Sequence, residues 1–164
     1  MTQSDVYIVN EDMNEVYELI LSSIKNKKNR LSGAIGLDGG LDITPNLPLG
    51  ILDPQGGHIS KVNLTVVNIS SDGKLCKMEL NRINGPTYKI HANFSLGFTF
   101  ITIIIIVIYT FSNLNNFQWE ILVMPLFGLL YFFAFEGLVA TTILNTKERI
   151  LKILADKKIN YKKQ

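Results

Sequence analysis

The run YFFAFEGLVA, residues 131–140, places one carboxylate, Glu136, among apolar and small side chains. On an insertion scale a charged side chain at a bilayer centre costs about 2.5–3.5 kcal/mol, and less near the headgroups, so this position calls for a partner. Two uses are open. In a structural one, Glu136 hydrogen-bonds Asn93, the His91 ring or Thr141; in a chemical one, it is an intramembrane acid that takes a proton or cation, or pairs with a basic residue of another subunit. Other residues with possible chemistry are Asp38, Asp42 and Asp53, with His58 as a base. Aspartates set among Gly and Pro, as in DGGLDITP and LDPQGG, are far more often turn formers. His58 and His91 share no motif, and no His-x-x-His, paired Cys or phosphate-cradling glycine loop occurs. The lone Cys76 falls in a strand pattern, where it reads as a small buried hydrophobe. The expectation is a protein without catalytic residues, bound metal or cofactor.

These positions depend on two apolar segments. From Ala92 to Trp119 there is no Asp, Glu, Lys or Arg. A helix rising ~1.5 Å per residue needs about twenty residues to cross a ~30 Å hydrocarbon core, and residues 92–111 (ANFSLGFTFITIIIIVIYTF) supply them. A second span is expected over 121–144, interrupted only by Glu136, with Pro125 near its start and Gly128 and Gly137 inside. In a hairpin with Ala92 opposite Ala140, Glu136 falls near Leu96, and Gly137 could allow close helix approach. The connection SNLNNFQWE has no Lys or Arg, whereas residues 145–164 carry seven basic and two acidic residues. The positive-inside rule then predicts an integral membrane protein with both termini cytoplasmic. The N-terminal MTQSDVYIVNEDM has neither a basic start nor an apolar core, so no cleavable targeting segment is expected.

Residues 1–91 predict a cytosolic α+β domain. DVYIVN alternates as a short strand; Asn10 is a candidate helix cap, and Met13, Val16, Tyr17, Ile20 and Ile24 recur at helical spacing. Strand patterns follow at 31–37, 41–44, 59–69 and 74–83, with turns at Asp38-Gly39-Gly40 and Asp72-Gly73 and a strand-like lead from Tyr88 to Ala92. The fold predicted is a helix packed on an antiparallel curved sheet. PNLPLGILDPQGGH interrupts the strands with three prolines and three glycines. Its Leu47, Leu49, Ile51, Leu52 and His58 form either an ordered loop tucked on its own domain or a ligand- or partner-binding loop. In residues 145–164, Asn145 and Glu148 match a capping box. Either a short basic amphipathic helix lies at the membrane surface, with Lys147, Arg149, Lys152, Lys157 and Lys158 toward anionic headgroups, or the second span continues into the cytosol. The basic surplus sits in this tail, so it reads as lipid contact rather than nucleic-acid binding.

The helix NEVYELI, the strands LSGAIG and KLCKMEL, the loop ending GGHI, the membrane hairpin and the late carboxylate followed by ERILKIL together resemble small bacterial membrane proteins that join a START-like (SRPBCC-type) cytosolic domain to two membrane helices. The resemblance implies a fold that often encloses an apolar cavity for lipids or other small hydrophobic molecules, and it carries no catalytic motif. The resemblance implies a bacterial inner membrane, and the expected role is a membrane-anchored module, alone or as a homo-oligomer, that binds a small hydrophobic ligand or a protein partner. The alternative is an accessory subunit of a larger membrane complex or transporter.

Overall fold

In this computed structural model residues 4–36, 38–45, 59–112 and 119–164 are described. They form strands β1 (Ser4–Val9), β2 (Leu31–Ile35), β3 (Leu41–Pro45), β4 (Ser60–Asn68), β5 (Cys76–Asn84) and β6 (Tyr161–Lys163), and helices α1 (Met13–Lys25), α2 (Pro86–Ser112) and α3 (Val123–Asp156). The six strands make one antiparallel sheet in the order β2-β3-β4-β5-β1-β6. Alpha and beta elements thus combine as an α+β fold, with two helices long and apolar enough to cross a membrane.

Turn chemistry sets the sheet. Gly39 adopts φ 78°, open to glycine and strained for most other residues, and the Gly36 N–H closes the β2–β3 turn on the Gly40 carbonyl at 2.7 Å. Gly73, at φ 72°, does the same between β4 and β5, whose pairing ends at Asn68 and Cys76. α1 is capped by Asp12, whose carboxylate accepts the Asn14 N–H at 2.8 Å. Asn10, the expected cap, is still part of the sheet connection: its N–H donates to the Asn160 carbonyl at 3.0 Å.

One face of the sheet is apolar. Pairing sets Val62 opposite Ile43, Leu64 opposite Leu41 and Leu80, and Met78 opposite Tyr7, so these side chains share a face. Val16, Ile20 and Ile24 of α1 join them in one buried cluster with Ile143, Ile150, Ile153 and Leu154 of α3.

Two boundaries depart from expectation. Tyr88–Ala92 is helical rather than extended, because α2 starts at Pro86, where the fixed φ and missing N–H suit a first helical turn. Nor does a separate basic helix follow the second apolar segment. α3 runs unbroken for 34 residues, ~51 Å at 1.5 Å per residue, carrying Asn145 and Glu148 in its interior. The apolar stripe Ile143, Ile150, Leu154 continues the helical spacing onto the sheet, and this burial holds the helix together where capping residues could have ended it. Beyond it the chain returns as β6 against β1.

Candidate functional site

β5 alternates Cys76, Met78, Leu80 toward the core, and the next residue of that parity is Arg82. Directly after β5 the chain enters α2, which brings Tyr88 in its first turns above the end of the strand. α3 crosses the same corner and presents Glu136. Arg82 donates to both carboxylate oxygens of Glu136, Nη1 to Oε1 at 2.6 Å and Nη2 to Oε2 at 2.8 Å, while the Tyr88 hydroxyl donates to Oε2 at 2.8 Å. The Arg82 Nε donates to Asn84 Oδ1 at 2.7 Å, and Ser60 donates to the same oxygen at 3.0 Å. The guanidinium also lies 5.1 Å from the Tyr88 ring centroid, within cation–π range. The hydrogen bond to Glu136 raises the Arg82 pKa further, against the opposing effect of desolvation. This is a fork-to-fork pair of the strong, charge-assisted kind, with the Arg82 Nε and the second Glu136 oxygen engaged by further neighbours.

The hairpin register behind this geometry differs from the expected one. His91 Nδ1 lies 2.7 Å from the Tyr131 hydroxyl, the Ser95 hydroxyl donates to the Gly128 carbonyl at 2.8 Å, and the Tyr88 and Phe135 rings stack 5.8 Å apart. Glu136 is therefore level with Tyr88 rather than Leu96, about two helical turns nearer the sheet. Its partners are Arg82 and Tyr88; His91 turns to Tyr131, Thr141 donates to the Gly137 carbonyl, and Asn93 takes no part. The close approach of α2 and α3 is at Gly128, where a Cβ would collide with the Thr99 hydroxyl and come within 3.2 Å of Phe98 and the Ser95 carbonyl. Gly137 has nothing within 4 Å of such a Cβ.

A second ion pair ties α3 to the sheet. Lys147, one of the residues expected at the membrane surface, is 4 % exposed and donates to Asp5 of β1 at 2.7 Å. Lys163 of β6 reaches the other Asp5 oxygen at 2.6 Å. Burial alone would raise the Asp5 pKa, but the hydrogen bonds from Lys147 and Lys163 outweigh it and hold the carboxyl below its ordinary value. Arg149 donates to the Arg30 carbonyl at 3.0 Å, and Lys152 lines a cleft with Lys28 and Arg30. Lys157 caps α3, and Lys158 follows at φ 60°. Along the helix these positions lie from ~16 Å (Lys147) to ~32 Å (Lys157) beyond Glu136, which sets the basic residues against or beside the sheet.

The remaining candidates resolve differently. Asp42 pairs with Lys61 and accepts from Asn63 at 3.0 Å, and Asp38 accepts from the same amide at 3.3 Å. These aspartates hold the β3–β4 region together on the face away from the helices. Burial pushes the Cys76 thiol up to about 11, which leaves it protonated and unreactive at neutral pH. Leu47, Leu49, Ile51, Leu52, Asp53 and His58 lie outside the described residues. Among the described residues, no group of three or more His, Cys, Asp or Glu could hold a metal ion.

Sequence reasoning missed Arg82 and Asp5 as partners of α3. The signal was parity: Arg82 continues Cys76, Met78, Leu80, and Asp5 precedes Tyr7 and Val9, so each charge stands at an apolar position of its strand. What the site does chemically is to neutralise two charges at the junction of sheet and helices. Comparison of the chain with protein-family models, curated proteins and solved structures finds no match.

Proposed function

We propose that this chain is a membrane-anchored binding module. The α2–α3 hairpin crosses the bilayer, both termini lie on the cytosolic side, and the sheet is held at the inner surface to bind a small hydrophobic ligand or a protein partner. The observation that carries this reading is the continuity of α3. Its first half exposes Met124, Leu126, Phe127, Leu130 and Phe133, and its second half buries Ile150 and Leu154 completely in the sheet core. A patch of that extent, continued by the exposed Ile and Phe side chains of α2, far exceeds the few hundred Å² that soluble monomers present to water. On α2 the exposed apolar residues run from Ile90 to Phe111, ~32 Å along the helix against a ~30 Å hydrocarbon core. On this reading the Arg82–Glu136–Tyr88 cluster sits at the inner boundary of the membrane, where a charged pair costs little to hold.

The START-like reading of the sheet domain rests on its helix-on-antiparallel-sheet arrangement together with the sequence resemblance. The loop of residues 45–58 is the proposed place of ligand or partner contact. The accessory-subunit reading had relied on Glu136 reaching another chain, and the pairing of its carboxylate within this one removes that support.

The test is alkaline extraction of membranes followed by native mass spectrometry of the mildly solubilised protein. The expected result is retention in the membrane pellet and a monomer or homo-oligomer that carries a reproducible small apolar mass, lost on replacing Leu47 and Leu49 with Ser. Release of a monodisperse protein into detergent-free buffer would overturn the anchoring, and a stoichiometric second protein with no bound small mass would replace the ligand by a partner.

A further inference from the structure

At the end of α3 opposite the apolar hairpin, a cleft of about 240 Å³ is lined by Lys28, Arg30, Arg149 and Lys152, with Asn29 and Asp156. Its cations come from two places: the short 3-10 turn Lys27–Asn29 with Arg30, which follows it and leads into β2, and the last turns of α3. None of the four is ion-paired among the described residues. Two bland roles account for part of this charge. Asp156 offsets one cation, and the C-terminal ends of α1 and α3, each worth roughly half a negative charge, offset about one more. About two positive charges remain without a counterpart.

Two of the residues lining the cleft are held in place by hydrogen bonds. Arg149 is tethered by its hydrogen bond to the Arg30 carbonyl at 3.0 Å, which spends one guanidinium N–H and leaves the others available. Asn29 is fixed by donating to the Ser23 carbonyl at 2.8 Å. Arg30 itself adopts φ 50°, a left-handed conformation uncommon outside glycine, at the turn that brings the 3-10 segment over α3. Two arginines and two lysines around a small, half-open cleft match the planar and point-charge donors that oxyanions of phosphorus require.

We propose that this cleft binds a phosphate-type dianion, of phosphate to pyrophosphate size. The volume, below the ~300–1,000 Å³ of sites for drug-sized ligands, suits the phosphoryl group rather than a whole nucleotide. Arg149 and Lys152 lie ~20 and ~24 Å beyond Glu136 along α3, away from the bilayer that the hairpin occupies. A soluble phosphate compound therefore fits better than a headgroup of the same membrane. The proposal stands on the cleft and does not depend on the ligand assigned to the loop of residues 45–58.

The test uses the full chain in phosphatidylcholine nanodiscs, titrated with inorganic pyrophosphate by calorimetry, and separately mixed with phosphatidylcholine vesicles with and without phosphatidylglycerol. Saturable pyrophosphate binding that weakens at least about tenfold in each of Arg30→Ala and Lys152→Glu, as loss of a charge-assisted contact predicts, supports a soluble ligand. Binding to phosphatidylglycerol vesicles that pyrophosphate displaces and the same variants abolish supports the site with a headgroup of an apposed membrane as its source. Lys77→Ala, which alters a cation outside the cleft, leaves either response unchanged, and unaltered thermal unfolding of each variant establishes that it folds. Absence of saturable binding to both probes, or binding indifferent to Arg30→Ala and Lys152→Glu, overturns the proposal.

Discussion

Breaking the Arg82–Glu136 pair should loosen the sheet from the helical hairpin. The Arg82 side chain is 14 % exposed and that of Glu136 34 %. Exposed pairs contribute ~0–1 kcal/mol, whereas removing one member of a buried pair costs ~3–5 kcal/mol. With one partner mostly buried and the other a third exposed, Glu136→Ala and Arg82→Ala should each cost ~2–3 kcal/mol, with ~1.5–2 kcal/mol of that shared between them. For a chain of this size ~2 kcal/mol corresponds to a fall in Tm of ~4–8 °C. Cys76 supplies the readout, being fully buried in the sheet core with its thiol pushed up to about 11 by desolvation. A thiol-reactive dye in neutral detergent labels it only as the sheet opens. The expected result is a double variant that loses ~2.5–4 kcal/mol, well short of the ~4–6 kcal/mol sum of the two single losses. If the double variant lost the full sum of both single losses, or if Glu136→Ala left Tm within ~1 °C, the pair would not be what fastens α3 to β5.

Three further perturbations probe the same architecture. Asp5, whose folded pKa is lowered, contributes stability that is present above its ordinary value of 3.8 and is lost as pH falls through the folded value; urea unfolding from neutral pH to pH 3 should show a fall that Asp5→Asn flattens, and equal slopes would remove the role of Asp5. Leu154→Ala should cost ~2–5 kcal/mol although it lies in a Lys-rich segment, because Leu154 is fully buried; a cost below ~0.5 kcal/mol would mean the segment lies free of the sheet. Gly128→Ala should lower the Tm of the detergent-solubilised hairpin through its collision with Thr99, whereas Gly137→Ala should leave it unchanged or slightly raised; equal effects would contradict the α2–α3 register.

Hydropathy made the two apolar helices legible, and turn residues did the same for the sheet, since Asp38-Gly39-Gly40 and Asp72-Gly73 act within a few residues of themselves. The hairpin register was not legible, because it was anchored to the ends of the uncharged run. That run starts at Ala92, but the helix starts at Pro86. Charge tells where lipid can begin; it does not tell where helical hydrogen bonding begins. The tail left two readings open for a related reason, and the continuous α3 is the second of them. Seven basic residues in residues 145–164 look like a headgroup-facing segment, yet Ile143, Thr146, Ile150 and Leu154 form a stripe at helical spacing that buries against strands more than sixty residues away in sequence. Its lysines are then distributed by that burial: Lys147 falls within the stripe and takes Asp5, while Lys152 falls outside it and faces the cleft. β6 left almost no trace in the sequence, because three residues YKK carry neither alternation nor a turn signal. Its lysines suit a strand at the edge of the sheet, where unpaired backbone groups invite association with other chains.

The two ion pairs of α3 do more together than either does alone. Along the helix, the negative Glu136 comes first and the positive Lys147 follows ~16 Å later. On the sheet, β5 presents the positive Arg82 and β1 the negative Asp5. Sliding α3 by one turn in either direction would pull both pairs apart, at ~2–3 kcal/mol for the partly exposed Arg82–Glu136 pair and ~3–5 kcal/mol for the more buried Lys147–Asp5 pair. Apolar packing alone resists such a slide weakly, because Ile143, Ile150, Ile153 and Leu154 are similar branched side chains repeated along one face of the helix. The charges therefore set the register, and the packing supplies the bulk of the adhesion. The consequence is mechanical. A displacement of the apolar hairpin cannot be absorbed by a flexible joint, since α3 has none between Val123 and Asp156, so it is passed to the sheet and to the basic cleft at its far end.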